Sequence, residues 1–346
     1  MTVALSSAAH AMNHPYSSEE EAALSAFRAR DVDLTREDTG FGRALRDVVI
    51  QQCEGLSGRE SFPPLLSGRS FGAGSFARRT LCRPLDDIDV YLVLDACGAP
   101  MSDDRQTYRL EGSAAGPLAS DPSLEVDGWI SSHLVLGRLV SGLWAPPVVA
   151  EQRGTVGMSD KGKSAFLSFP RWQVKVDVTP VLWATNFVNS IDRYYMPQGR
   201  GSIWWKATNP KEDQRRLSEQ NQLQGGLLLP TIRMLKWWNA NRNGGRLKGI
   251  HLEVLAERGL SLHYLEGVAQ ALHMAFVAMQ TQLERPCPDP TGLGPPLDCN
   301  LSQVDRTEST RAAQRAHLAT IGAADRFRAG DVPGGLANWR EVFPGL

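Results

Sequence analysis

The run PLDDIDVYLVL at residues 84–94 constrains this 346-residue chain more than any other. Ile88, Val90, Leu92 and Leu94 alternate with Asp87, Asp89, Tyr91 and Val93, and successive side chains of a strand point to opposite faces. The pattern predicts a strand that gives an apolar face to a core and sets Asp87 and Asp89 side by side on the other. A second strand-like run, WQVKVDVTPVL at 172–182, carries a third acid, Asp177, between apolar neighbours. Like charges a few ångströms apart do not all stay ionised unless something neutralises them. If the two strands are neighbours, Asp87, Asp89 and Asp177 form a site for divalent cations.

The rest of the chain suits such a sheet. At ~150 residues per domain the length corresponds to two domains or one two-lobed unit. Ser18 and Glu21 have capping-box spacing, and Phe41, Leu45, Val48 and Val49 sketch a helix face across 37–54. Residues 98–123 read as loops around a short strand, and 124–143 as a helix or buried segment. VVAEQRGTVGM and SAFLSF are further strand-like runs, separated by the turn-like SDKGK. Beyond about residue 187 the pattern becomes helical, in LLLPTIRMLKWWNAN and SLHYLEGVAQALHMAFVAMQTQL, with a Pro- and Gly-rich loop at 285–300. The expected fold class is α+β: a mixed-sheet catalytic lobe followed by a helical C-terminal lobe. The expected division is an N-terminal segment at 1–35, partly flexible, a catalytic core at 36–190 and a helical lobe at 191–346.

Composition narrows the function. A net charge of −1 excludes a uniformly basic nucleic-acid binder, so any anion site must be local. One is available: between Arg193 and Lys248 eleven Lys or Arg face three acids, a local charge of +8. Arg233 and Lys236 are three apart in TIRMLKWW, hence neighbours on a helix face, where a lysine can meet a triphosphate. The five cysteines contain no Cys-x-x-Cys pair, which points to a reducing cytoplasm and away from a zinc ribbon. No basic leader and no run of ~18 apolar residues is present, so a cytoplasmic protein with no membrane association is expected.

Gly74-Ser75 completes the candidate site. Glycine lets the backbone approach a phosphate, serine donates a hydrogen bond, and FARRT can begin a helix. With hard oxygen ligands, Mg²⁺ is the expected ion, two of them bridging the acids to a nucleoside triphosphate, with Mn²⁺ as a substitute. GMSDKGKS at 157–164 matches the Walker A pattern to the letter, but SAFLSFPRW after Gly162-Lys163 alternates and meets Pro170 where the motif needs a helix. SDKGK is read as a hairpin turn. No GxSxG, HExxH or kinase HRD set occurs.

Taken in order, GSFARRT, PLDDIDV and VKVDVTP resemble the polymerase-β-type nucleotidyltransferase superfamily. RYYMPQG, SIWWKATNP, LLLPTIRMLKWWN, KGIHLEVL and NWREVFPGL are similar in order to its bacterial cGAS/DncV-like branch, so the resemblance covers about 40–346. It implies a bilobed enzyme in which Asp87, Asp89 and Asp177 hold two Mg²⁺, Gly74 and Ser75 touch phosphate, and Arg233, Lys236 and His251 bind nucleotide. The implied activity joins purine nucleoside triphosphates, ATP or GTP, into a cyclic di- or trinucleotide that opens a downstream effector in anti-phage (CBASS) signalling. Gly249 and Ile250 stand where the family often has a hydroxyl and an aromatic. The zinc insertion that grips double-stranded DNA has no counterpart, so an activating partner protein or phage-derived signal is expected instead of DNA. The alternatives are a nucleotidyltransferase with linear products, such as 2′-5′ oligoadenylate or a nucleotidylated tRNA, protein or small molecule, and an inactive nucleotide sensor.

Overall fold

The structure is a computed structural model and describes residues 17–59, 62–96, 107–144, 153–185, 192–261 and 263–346. Cys97, the start of the loop expected at 98–123 and the first part of VVAEQRGTVGM lie outside the described residues. So do residues 1–16 of the expected N-terminal segment.

Helices α1 (Ser18–Phe27) and α2 (Arg36–Leu56) lead to β1 (Phe71–Ala73), the single-turn α3 (Gly74–Ala77) and β2 (Asp87–Val93). Short strands β3 (Thr107–Tyr108), β4 (Leu110–Glu111), β5 (Glu125–Val126) and β6 (Trp129–Ile130) precede α4 (Ser132–Trp144). Then come β7 (Val156–Met158), β8 (Ala165–Phe169), β9 (Val174–Thr185), β10 (Asp192–Pro197) and β11 (Trp205–Thr208). The chain ends in α5 (Pro210–Leu223), α6 (Leu228–Arg242), α7 (Gly249–Leu260), α8 (Val268–Gln282), α9 (Gln303–Arg328) and α10 (Val332–Val342).

The main sheet runs β1-β2-β9-β10-β11-β3, with β8 also on β9 and β7 on β8, while β4, β6 and β5 form a small second sheet. Among the described residues only β2 and β9 pair in parallel; the other pairs are antiparallel, so the sheet is mixed as expected. Ile88, Val90 and Leu92 are fully buried with Val49 and Cys53 of α2 and with Leu136 and Leu139 of α4. The alternation in β2 thus separates a packed face from an acidic one.

A second core lies among the C-terminal helices, where Ile232, Leu235, Leu252, Leu272 and Phe276 are fully buried. Two chain boundaries differ from the expected division. Strands β10 and β11 continue the sheet past residue 191, because Tyr195, Trp205 and Ala207 pack into the sheet's core. Leu24, Phe27 and Val32 join the helical core, so the described part of the N-terminal segment is built into it.

Several local expectations changed for identifiable reasons. The N-cap of α1 is Ser17, which accepts from Glu20 N–H, and the Glu21 carboxylate instead accepts from the N–H groups of Val268 and Ala269 at the start of α8. Helix α8 begins only at Val268, after Gly267, so Leu265 of the longer expected run is non-helical. SDKGK is a turn between antiparallel β7 and β8.

Glu20 is fully buried against α10, where its Oε1 accepts from Trp339 Nε1 at 2.6 Å and, among the described residues, its Oε2 has no partner. Burial pushes its carboxyl from the ordinary 4.5 up to about 7, against the Trp339 hydrogen bond. The folded state therefore holds a proton that the unfolded chain releases at lower pH. The stabilisation is complete below about pH 4.5 and is lost as pH rises through about 7. Thermal denaturation should show the wild-type melting temperature falling between pH 5 and pH 8 more steeply than that of Glu20→Gln, which cannot ionise. Parallel profiles would contradict this.

Candidate active site

The parallel pairing of β2 with β9 sets Asp89 directly opposite Asp177, and Asp87 opposite Lys175. One ligand oxygen from each of Asp87, Asp89 and Asp177 lies within 4.8 Å of the other two. Burial, then the charges of Asp87 and Asp177, pushes Asp89 up to about 6. Burial raises Asp177 as well, against the pull of Lys175. Among the described residues Asp177 Oδ1 is a buried atom that accepts no hydrogen bond, and buried Asp87 Oδ1 has only the Lys175 ammonium nearby, at 3.5 Å. A cluster of hard carboxylate oxygens, in which burial makes Asp89 and Asp177 weaker acids, fits a divalent cation of the Mg²⁺ or Mn²⁺ type.

Gly74 is required by Asp89. Ala73 pairs with Asp89 across β1 and β2, and Gly74 then turns the chain into α3 with φ +68°. A Cβ at this position would lie 1.6 Å from Asp89 Oδ2, so both the backbone angle and the close approach demand glycine. Ser75 follows, half-buried, its carbonyl accepting from the N–H groups of Thr80 at 2.9 Å and Leu81 at 3.2 Å. Among the described residues its hydroxyl has no partner.

The same loop reaches the helical core through a buried ionic network that sequence reasoning missed. Glu253 of α7 has a side chain only 1% exposed. It accepts from Arg78 Nε at 2.8 Å, Thr80 Oγ1 at 2.7 Å and Lys236 Nζ at 2.7 Å. Burial alone would raise this carboxyl, but the charges of Arg78 and Lys236 outweigh it and hold it at about 2. Lys236 also donates to Thr80 O and Thr80 Oγ1, both at 3.0 Å. All three hydrogens of its ammonium are therefore engaged. The available signal was Glu253 itself, an acid embedded in the apolar HLEVL.

The structure brings the three acids and Gly74 together, with Ser75 next to Gly74, and places the other expected residues differently. Arg233 donates from Nε to Asp33 Oδ1 at 2.7 Å and from Nη1 to the Arg79 carbonyl at 2.8 Å, so its charge ties α6 to the loop after α1. His251 is 2% exposed, and burial holds its imidazole down at about 4. The basic window is compensated in part: Arg215 pairs with Glu212 and Glu219 inside it, and Arg216 and Arg246 pair with Glu257 and Asp305 outside it. Counting charge along the sequence overlooked the acids from other segments that fold onto it.

In its fold the chain is similar to nucleotidyltransferases. It is 27% identical over 326 residues, 92% of this chain and 94% of the other, to a probable cyclic nucleotide synthase of Bacillus cereus (strain VD146). Among solved structures it is similar to Escherichia coli MS115-1 CdnC in complex with HORMA-deltaN, with a TM-score of 0.67 and 18% identity over 94% of this chain and 97% of that one. It is also similar to Vibrio cholerae DncV in its apo form, with a TM-score of 0.60 and 14% identity over 89% of each chain. A mutant of that di-nucleotide cyclase in complex with ATP and GTP, among other ligands, gives a TM-score of 0.63 and 13% identity over 91% of this chain and 92% of that one. The fold is that of the cGAS/DncV-like nucleotidyltransferases, as the motifs implied. No family model matches the chain.

Two substitutions test the construction of the site. Gly74→Ala should displace Asp89 and cost roughly 100-fold in turnover, the scale of an ångström-sized misplacement of a reacting group, with the protein still folded by circular dichroism. Glu253→Ala should lower unfolding free energy by about 3–5 kcal/mol, because it leaves Arg78 and Lys236 buried without their counter-charge. Denaturant titration reads this directly, and a loss below about 1 kcal/mol would mean that the network behaves like a solvated surface pair.

Proposed function

We propose that this protein is a cyclic oligonucleotide synthase that joins ATP, GTP or both into a cyclic di- or trinucleotide with release of pyrophosphate. The observation that carries this reading is the meeting of Asp87, Asp89 and Asp177 on one face of β2 and β9, against the Gly74 turn. Those acids would hold two Mg²⁺, or Mn²⁺ in their place, which would lower the pKa of the acceptor hydroxyl and neutralise the pyrophosphate. Gly74 lets the chain turn tightly against the Asp89 carboxylate, and the hydroxyl of Ser75 that follows is the proposed donor to a phosphate. Lys236, whose side chain is 14% exposed, would reach a phosphate by releasing one of its bonds while Arg78 keeps Glu253 compensated. Catalysis on this scheme is positional and electrostatic.

The near full-length match to a probable cyclic nucleotide synthase supports the cyclic product. The E. coli CdnC neighbour is in complex with a HORMA protein, which supports a partner protein as activator. We place the enzyme in bacterial anti-phage signalling of the CBASS type, acting in the cytoplasm on a downstream cyclic-nucleotide effector. Among the described residues no helix is long and apolar enough to cross a membrane.

The test is incubation with labelled ATP, GTP, CTP and UTP and Mg²⁺ or Mn²⁺, followed by phosphatase and mass spectrometry. A phosphatase-resistant product from purine triphosphates, reduced by about 100-fold or more in Asp177→Asn, is expected; second-sphere partners of metals already cost 10–100-fold. Products that lose terminal label to phosphatase would assign linear synthesis instead. Absence of pyrophosphate release with either ion would leave an inactive sensor.

A further inference from the structure

Among the described residues, Lys175 is the one cation in direct contact with the acid cluster. It lies two residues before Asp177 on β9, so both side chains leave the same face of the sheet, and the strand register sets it opposite Asp87. Its Nζ donates to Asp177 Oδ2 at 3.1 Å and lies 3.5 Å from Asp87 Oδ1. The ammonium thus bridges two of the three acids across the parallel strand pair. A divalent ion bound to carboxylate oxygens at ~2.0–2.2 Å cannot share those oxygens with an ammonium so close without strong repulsion. Lys175 is 44% exposed on its side chain, and its flexible four-carbon stem can withdraw toward solvent.

We propose that Lys175 is a tethered counter-ion that competes with divalent cations for Asp87 and Asp177 and thereby sets the threshold for metal loading. This rests on the reading of the three acids as metal ligands. Lysine lowers the repulsion within the cluster, so the strands stay paired in correct register, and it weakens the binding of a cation arriving alone. A nucleoside triphosphate reverses the balance: its phosphates offer the ammonium another partner and bring ligand oxygens of their own. The site then loads a metal–nucleotide complex in preference to a bare ion. As a positioning residue Lys175 acts through the acids, and its signature is ion affinity as distinct from folding.

The experiment measures Mn²⁺ affinity of the full chain, without nucleotide, from the electron paramagnetic resonance signal of free Mn²⁺. Lys175→Met should bind about tenfold tighter than wild type, the scale expected for removing one nearby charge in a partly exposed site. Lys175→Arg, which keeps the charge, should stay within about twofold of wild type and guards against a Met variant that fails to fold. With a non-hydrolysable ATP analogue present, the difference between wild type and Lys175→Met should shrink. Unchanged or weaker binding by a folded Lys175→Met overturns the proposal, as does tighter binding by Lys175→Arg. Asp177→Asn serves as the separate control: wild-type Mn²⁺ affinity in that variant would overturn the metal-site reading itself, whatever the lysine variants do.

Discussion

The parallel register between β2 and β9 is the constraint on which the site depends. Side chains alternate with a period of two, so a slip of one residue would send Asp177 into the core and bring Val176 or Val178 to the cleft face. The buried residues Ile88, Val90, Val176 and Val178 oppose that slip through hydrophobic burial. The core and the acid cluster are two faces of the same strands, and the energy that packs one holds the other in its self-repelling arrangement. Lys175 lies within this logic: register places it opposite Asp87, where its charge offsets part of the cost of the cluster.

A second constraint joins the sheet to the helices. The loop after α3 contributes Arg78 and Thr80, α6 contributes Lys236 and α7 contributes Glu253, all meeting where almost no water reaches. A buried carboxylate with two cations and a hydroxyl is fully satisfied as a group and costly to break in part. Because Thr80 N–H also closes the turn on Ser75, the network fixes the loop that presents Gly74 and Ser75. The geometry at Asp89 therefore depends on helix residues more than 150 positions from Arg78 and Thr80 in sequence.

This division explains what could be read from the sequence. The strands of Asp87, Asp89 and Asp177 were legible because period-two alternation is local, and their convergence was legible because three isolated acids in apolar frames have few other uses. Glu253 was visible only as an oddity in HLEVL, since its partners come from two distant segments. Arg233 illustrates the opposite error: its helical spacing from Lys236 was read correctly, but Asp33, 200 residues upstream, takes its charge. Glu21 had capping-box spacing in its own helix and capped α8 instead, because tertiary contact offered two unpaired N–H groups at once. Local rules predicted the elements, and pairing between distant segments decided which charges remained free.

The Walker-like GMSDKGKS shows why the destination of backbone N–H groups decides what a motif means. A phosphate-binding loop works because successive N–H groups point unpaired at the anion. Here the N–H groups of Lys163 and Ser164 both donate to Ser159 Oγ at 3.2 Å, and that of Gly162 donates to Ser159 O at 2.8 Å. Ser159 N–H in turn reaches Ser164 O, closing the hairpin between β7 and β8. The donors a triphosphate would need are already engaged in the turn, and β8 follows where a helix would have to begin. Gly162 retains its structural purpose, since its φ of +64° and the close packing of Arg200 leave no room for a side chain. The phosphate contact proposed above therefore falls to the Gly74-Ser75 turn instead of the segment that matches the pattern; there the glycine is demanded by a carboxylate and, among the described residues, the serine hydroxyl has no partner.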